Sequence, residues 1–205
     1  YYDILFDIYD GGGIQSRIMI GLGDYLFLGL SFDVEKAIGN QTPKVYYPHP
    51  LGKMKLVLGD MGLAIGYDSF FVGPDGKEVT VTTNGTTIAT DKDIIYGPYL
   101  VGSKPIYLMG SEQHFHLGLR IPVVPSYDED EISLFFGLDI PLNPEFVLLG
   151  EIEKIYFNSD RFDEILYNFG LKFTMAERLG VKLGFRAKVE EETSRTVTIE
   201  YQNLF

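Results

Sequence analysis

Alternating polarity runs through this chain and constrains its fold more tightly than any other feature. In four segments every second residue is large and apolar, and the residues between are mostly small or polar: 26–35, 132–140, 165–174 and 179–189. Successive side chains on a β-strand point to opposite faces, so a period of two predicts two-faced strands. Weaker segments of the same kind fill the gaps: 2–9, 14–22, 53–58, 62–70, 96–103, 113–121, 145–155 and 195–205.

The links between these segments alternate between short and long. The short links are 23–25, 59–61, 141–144 and 175–178, and the long ones are 36–52, 71–93, 122–130 and 156–163. This alternation is typical of a barrel with tight turns at one rim and loops at the other. Asn84-Gly85, between arms rich in Thr and Val, predicts a hairpin within the longest link. Segment 96–103 is the poorest strand, because Pro98 cannot donate to a ladder.

Composition excludes several classes of protein. No run approaches the ~18 apolar residues of a transmembrane helix, and without cysteine there is no disulfide or zinc-thiolate site. The net charge of −12 argues against nucleic acid as a partner. The glycine pairs and triplets precede no predicted helix that would cradle a phosphate, so no cofactor is expected. The chain starts without Met or a leader, so we expect a removed signal peptide or a truncated N-terminus.

The last segment alternates Val197, Ile199 and Tyr201 with polar residues and stops on Phe205. It resembles the closing strand of bacterial outer-membrane β-barrels, which usually end on an aromatic residue. With the alternation and the link lengths, this predicts an all-β fold: one transmembrane antiparallel up-and-down β-barrel over residues 1–205, with about twelve strands. An even strand number places both termini on the short-turn, periplasmic side, and the resemblance implies the bacterial outer membrane and its lipid.

Alternation alone leaves open which face is outside, because a soluble lipocalin-like barrel has its apolar face inside. Two observations favour an apolar exterior. Glycines lie on the polar faces, where they weaken a soluble sheet for no gain but make room in a crowded lumen: Gly21, Gly29, Gly66, Gly118, Gly137, Gly170, Gly180 and Gly184. The large apolar side chains are spread over all segments, as in a lipid-facing band.

Three short pieces resemble a narrower group, the barrels associated with exopolysaccharide and capsule export. They are Leu63-Ala-Ile-Gly-Tyr-Asp68, Tyr99-Leu-Val-Gly-Ser-Lys104 and His116-Leu-Gly-Leu119. This resemblance implies a role in an envelope complex.

The polar faces are where function is expected. The leading hypothesis is a passive pore or transport-associated channel for small solutes and ions, with a cation preference that follows from the acidic balance. Its predicted lining is Asp33, Asp68, Arg120, Asp139, Glu151, Glu153, Lys172, Lys182 and Arg186. Alternatively, cross-strand ion pairs fill the lumen. The barrel would then serve as an anchor or complex subunit, with loops 36–52 and 71–93 contacting an envelope protein.

Histidines provide the remaining candidates for chemistry. His114 and His116 share a face, and two imidazoles at this spacing bind a transition metal if a carboxylate joins them. Polar lumen residues are commoner than metal sites, so no metal is predicted. A barrel hydrolase would need Ser, His and a carboxyl or amide group together. No nearby Ser shares the face of these histidines, although Ser111 precedes them in a turn, so the sequence predicts no enzyme.

Overall fold

The computed structural model describes residues 2–9, 12–40, 42–45, 48–71, 78–83, 86–91, 94–108, 110–121, 132–157, 165–175, 178–188 and 193–203. These residues form fifteen strands: β1 (Tyr2–Tyr9), β2 (Gly13–Leu22), β3 (Leu26–Glu35), β4 (Lys44–Val45), β5 (His49–Leu58), β6 (Met61–Phe71), β7 (Glu78–Thr83), β8 (Thr86–Asp91), β9 (Ile94–Leu108), β10 (Ser111–Arg120), β11 (Ser133–Pro141), β12 (Phe146–Tyr156), β13 (Leu166–Met175), β14 (Leu179–Lys188) and β15 (Ser194–Asn203). The described residues contain no helix with the length and hydropathy needed to cross a membrane.

Twelve of the strands close into a barrel. Each pairs antiparallel with its neighbours in the order β1, β2, β3, β5, β6, β9, β10, β11, β12, β13, β14, β15, and β15 pairs with β1. The two-residue β4 adds to the edge of β3 beside β5. Strands β7 and β8 form a separate hairpin, which confirms the pairing predicted around the Asn-Gly turn, whose two residues lie outside the described ranges.

The twelve barrel strands match the twelve predicted segments one for one, and the largest differences in length are at β5 and β9, which are both longer than predicted. Strand β9 runs through Pro98 and Pro105, which pair in register with Tyr67 and His114. The carbonyl of Pro98 accepts a hydrogen bond from the amide of Ile121 at 3.0 Å, so the proline costs the ladder a donor but not an acceptor. Strand β5 starts at residue 49, so residues 49–52 belong to the wall and not to the predicted loop 36–52.

Polarity is inverted relative to a soluble protein. Of the described residues, six apolar side chains are buried, against eleven polar or charged ones. Large apolar side chains are instead exposed on the outside of most barrel strands, among them Phe6, Ile18, Leu28, Leu56, Ile65, Leu117, Phe169 and Leu183. Apolar surface on this scale, around the whole circumference, is stable in lipid and not in water. The barrel is therefore a transmembrane one, and the soluble alternative is wrong.

Strand β12 carries one irregularity. A β-bulge shifts the β11–β12 register between Leu134 and Phe136. Lys154 lies in the bulge with a φ of 56°, a conformation that costs energy for a residue with a side chain, and its side chain is buried. Bulges are common near the rim of a barrel, where they re-aim the neighbouring side chains.

Candidate functional site

The inner wall of the barrel carries all nine residues that the sequence predicts to line it. Register fixes this placement, because directly paired residues share a face. Gly137 pairs with Glu151, Glu151 with Asn168, and Asn168 with Arg186, so one inward row crosses four strands. The other predicted residues lie an even number of positions from members of such inward rows, or reach them by ion pairs.

Five inward side chains form what we call the Arg120 network. Arg120 on β10 makes a close ion pair with Glu153 on β12 and lies 4.0 Å from Glu151. Asn168 on β13 donates to Glu153 and accepts a hydrogen bond of 2.9 Å from Nε of Arg186 on β14. Only 8% of the Glu153 side chain is exposed, so its charge depends on these partners.

Four further residues form the Arg17 network on the other side of the lumen. Arg17 on β2 makes a close ion pair with Asp7 on β1 and reaches Asp68 on β6 at 3.6 Å. Thr198 on β15 donates a hydrogen bond to the second carboxylate oxygen of Asp7. Strands β3 and β5 separate β2 from β6 in the wall, so the Arg17–Asp68 contact bridges a chord of the lumen.

Two cavities lie against these networks. The larger, of about 300 Å³, borders β9 to β15 and has both apolar and polar lining. Its polar and small lining residues include His116, Gly137, Asp139, Glu151, Asn168, Gly170, Lys182, Gly184, Arg186 and Thr196. The smaller, of about 210 Å³, lies between the two networks and is lined by Arg17, Asp68, Gly97, Tyr99, Val101, Arg120 and Phe135. Val101 and Phe135 border both cavities.

Phe135 is held in the partition between the cavities by its neighbours. The Arg120 guanidinium lies over its ring at 4.5 Å from the centroid, a cation–π contact. The ring also occupies the space above Gly118, its register partner on β10. Gly66 makes room for the ring of Tyr99 in the same way. The inward glycines of these two strands therefore leave space for aromatic rings on the wall.

The remaining predicted residues lie outside the two networks. Asp139 and Lys182 line the larger cavity. Lys172 pairs with Glu200 on β15 at 2.6 Å. Asp33 accepts a hydrogen bond of 3.1 Å from the hydroxyl of Tyr9 and borders neither cavity. The structure thus gathers five of the predicted residues around the networks and places the other four elsewhere on the inner wall.

Four polar residues of the two networks are absent from the predicted lining: Arg17, Asp7, Thr198 and Asn168. Arg17 and Asp7 hold the second network together, and Asn168 connects Arg186 to Glu153. Arg17 and Asp7 lie on inward positions of alternating strands, which marks them as lumen residues. No sequence signal marks the contact between Arg17 and Asp68, because β2 and β6 are not adjacent and these side chains meet only across the lumen.

The two histidines contact different carboxylates and share no partner among these contacts. His114 is 3.4 Å from Glu112, and His116 is 3.4 Å from Asp139 through Nε2. No group of three or more His, Cys, Asp or Glu residues converges anywhere in the described ranges. His116 does contact a serine: its Nδ1 is 2.7 Å from Oγ of Ser103 on β9. The prediction that no Ser lies near the histidines is therefore wrong, because it considered only their own strand.

Comparison with known proteins identifies the architecture. No protein-family model and no curated protein sequence matches the chain. Among solved structures, the KdgM porin in complex with disordered oligogalacturonate superposes with a TM-score of 0.64 at 13% identity, covering 99% of both chains. The NanC porin gives 0.56 at 10% identity, covering 99% of this chain and 100% of that one. Omp33 of Acinetobacter baumannii gives 0.55 at 5% identity, covering 98% and 97%.

These superpositions span whole chains, so they concern the complete barrel and not a shared hairpin. At such low identities they show the fold: the protein is a twelve-stranded barrel of the bacterial outer-membrane porin type. The predicted resemblance to outer-membrane barrels is confirmed. The narrower resemblance to export-associated barrels receives no support from them.

Proposed function

We propose that this barrel is a passive pore for small solutes and ions in the bacterial outer membrane, with both termini on the periplasmic side. One observation carries the proposal: a closed lipid-exposed barrel has charged side chains around its inner wall, with cavities beside them. Charged rings on an inner wall set the ion selectivity of a channel. Whole-chain likeness to porins supports the same function.

The proposed conduit lining keeps the nine predicted residues and adds Arg17 and Asp7. Asp139, Glu151, Lys182 and Arg186 border the larger cavity, and Asp68 and Arg120 border the smaller. The chain's net charge of −12 favours cations over anions. The KdgM structure holds disordered oligogalacturonate, so an acidic oligosaccharide is one solute to test alongside simple salts.

Single-channel recording tests the proposal. The protein is refolded in detergent, folding is verified by its shifted gel mobility before boiling, and currents are recorded across a planar bilayer. We expect discrete steps and a reversal potential on the cation-selective side in a salt gradient. Neutralising Lys172, Lys182 and Arg186 together is expected to increase cation selectivity. Absence of current from folded protein would contradict the pore.

A second candidate function is a filled barrel that anchors an envelope complex. The burial of Glu153 favours it, because a buried carboxylate held by Arg120 and Asn168 resembles packing more than a wet channel. The contact surface would be the loops at 36–48 and 71–93, the latter containing the β7–β8 hairpin. In a filled lumen, the triple neutralisation would lower stability strongly and leave no selectivity to measure.

We propose no enzymatic role. In a Ser–His–Asp triad, the imidazole accepts the Ser proton through one nitrogen and is held by the carboxylate through the other. Ser103, His116 and Asp139 meet this requirement only loosely, since the Asp139 contact is 3.4 Å. Backbone amides around Ser103 are engaged in the β9 ladders, which leaves none to stabilise an oxyanion there. Esterase activity that disappears in Ser103→Ala would contradict this proposal.

A further inference from the structure

The charges around the larger cavity are sorted by strand. Its acidic residues, Asp139 and Glu151, lie on the adjacent strands β11 and β12. Its permanently basic residues, Lys182 and Arg186, both lie on β14. One side of the cavity is therefore negative and the opposite side positive, and a field crosses the space between them.

The distance between the two sides is short. Glu151, Asn168 and Arg186 are paired in one register row, so two strand spacings, about 10 Å, separate the acidic backbone from the basic one. Gly170 and Gly184, paired in the next inward row, contribute no side chains of their own to the cavity. The Lys182 side chain lies over Gly170, with its Cε 3.1 Å from where a Cβ would be, and Oγ1 of Thr196 lies over Gly184. Because Lys182 extends from β14 over β13, its ammonium lies nearer the acidic side than its backbone does, so a small solute can reach it and the carboxylates at once.

Lys182 and the two carboxylates are accessible to a solute. Lys182 forms no ion pair or hydrogen bond with any side chain in the described part of the chain, although it borders the cavity. The side chains of Asp139 and Glu151 are 40% and 33% exposed, and their ion contacts are long, at 3.4 and 4.0 Å. Arg186 is oriented by its bond to Asn168.

We propose that this cavity binds a small zwitterion whose charges are several bonds apart, such as an ω-amino acid or a dipeptide. The ammonium faces Asp139 and Glu151, and the carboxylate faces Lys182 and Arg186. A simple anion meets the two carboxylates on one side, and a simple cation meets the two basic groups on the other. Only a solute with both charges satisfies both sides. This inference rests on the proposed pore function and names a solute class for it.

Three probes of equal chain length distinguish a zwitterion site from a site for a simple anion or a simple cation: 6-aminohexanoate, hexanoate and hexylammonium. Binding is measured by calorimetry on protein refolded in a nonionic detergent. A zwitterionic detergent is avoided because its headgroup would compete with 6-aminohexanoate for the site. We expect 6-aminohexanoate to bind about tenfold more tightly than either singly charged probe. Equal or tighter binding of hexanoate would overturn the proposal and assign an anion site. Absence of binding by all three probes would overturn it as well.

Variants on each side of the cavity locate the site. Lys182→Gln and, separately, Asp139→Asn are each expected to weaken 6-aminohexanoate binding about tenfold, and gel mobility verifies that each variant is folded. Lys55→Gln is the matched control, since Lys55 lies over the Phe27 ring and borders neither cavity. Unchanged binding in both cavity variants would overturn the proposal.

Calorimetry tests the zwitterion site and conductance tests the pore, so either proposal can be refuted while the other is retained. A barrel that binds the zwitterion but passes no current would retain the binding site and refute the pore. A barrel that conducts and binds none of the probes would retain the pore and refute the zwitterion site. In a conducting barrel, 6-aminohexanoate is further expected to reduce the current, and the two cavity variants to relieve this reduction.

Discussion

The ring of Phe135 lies over Gly118 so closely that a Cβ on residue 118 would be 2.2 Å from Cζ of the ring. The same Cβ would be 2.5 Å from the backbone oxygen of Leu100, which cannot rotate away as a side chain can. Glycine at 118 is therefore a condition for the ring's position, and through the ring it supports the guanidinium of Arg120.

Gly118→Ala is expected to destabilise the barrel by about 1–3 kcal/mol, because the added methyl group forces the ring and the wall apart. The midpoint of thermal unfolding, followed by gel mobility, measures the loss. Gly150→Ala is the control, since its Cβ would meet nothing within 4 Å. A change in the control as large as that at 118 would show that the close contact is not the cause.

Phe135→Ala is expected to raise single-channel conductance. Phe135 borders both cavities, so removing the ring opens the partition between volumes of about 300 and 210 Å³. Phe27→Ala is the control, because Phe27 is also an inward aromatic under a cation but borders neither cavity. Equal conductance in Phe135→Ala and the unmodified barrel would place the narrowest passage elsewhere.

Arg120→Met is expected to cost roughly 3–5 kcal/mol of unfolding free energy, because it leaves Glu153 buried without its cation. Chemical denaturation in lipid vesicles measures the loss. The double variant Arg120→Met, Glu153→Gln removes the stranded charge and should recover most of it. If the double variant is no more stable than the single one, the cost lies in lost packing on Phe135 rather than in charge.

Leu183→Arg is expected to cost about 2–4 kcal/mol in a bilayer, since Leu183 is half exposed on the outer face. The adjacent Lys182 points into the lumen, and Lys182→Gln is expected to change stability by less than about 0.5 kcal/mol. Both are measured by folding into vesicles. Equal costs at the two neighbours would contradict the assignment of faces.

The sequence predicts the strands well because alternation is a local property. Each barrel strand corresponds to one alternating segment, and charges mark the inward face of most of them. Strand β9 is an exception, because Gly102 and Lys104 pair with the outward residues Leu117 and Phe115. The predicted lining residues lie on the inward face of these strands, and their role in lining a conduit stays a prediction. The bulge at Lys154 was not predictable, because a single extra residue near the end of a strand hardly disturbs a period of two.

The contacts inside the barrel were not predictable, because they depend on closure and on strand tilt. Arg17 and Asp68 come from strands separated by two others, and Ser103 reaches His116 from the neighbouring strand. Face assignment states which residues share the lumen but not which of them meet. Pro98 shows that a real local penalty can be outweighed: the strand predicted around it forms because β9 is paired on both sides.

Strand β1 pairs with β15 along its whole length, and Thr198 donates to Asp7 across 191 residues of sequence. In space, then, the wall is a ring in which no strand is first or last. Each barrel strand pairs with two neighbours, whatever its place along the chain. A permuted chain, joined across the short-turn rim and opened in a long loop, would specify the same ring. Its slowest step would be the pairing of a different pair of strands, because the last closure always joins the strands farthest apart in sequence.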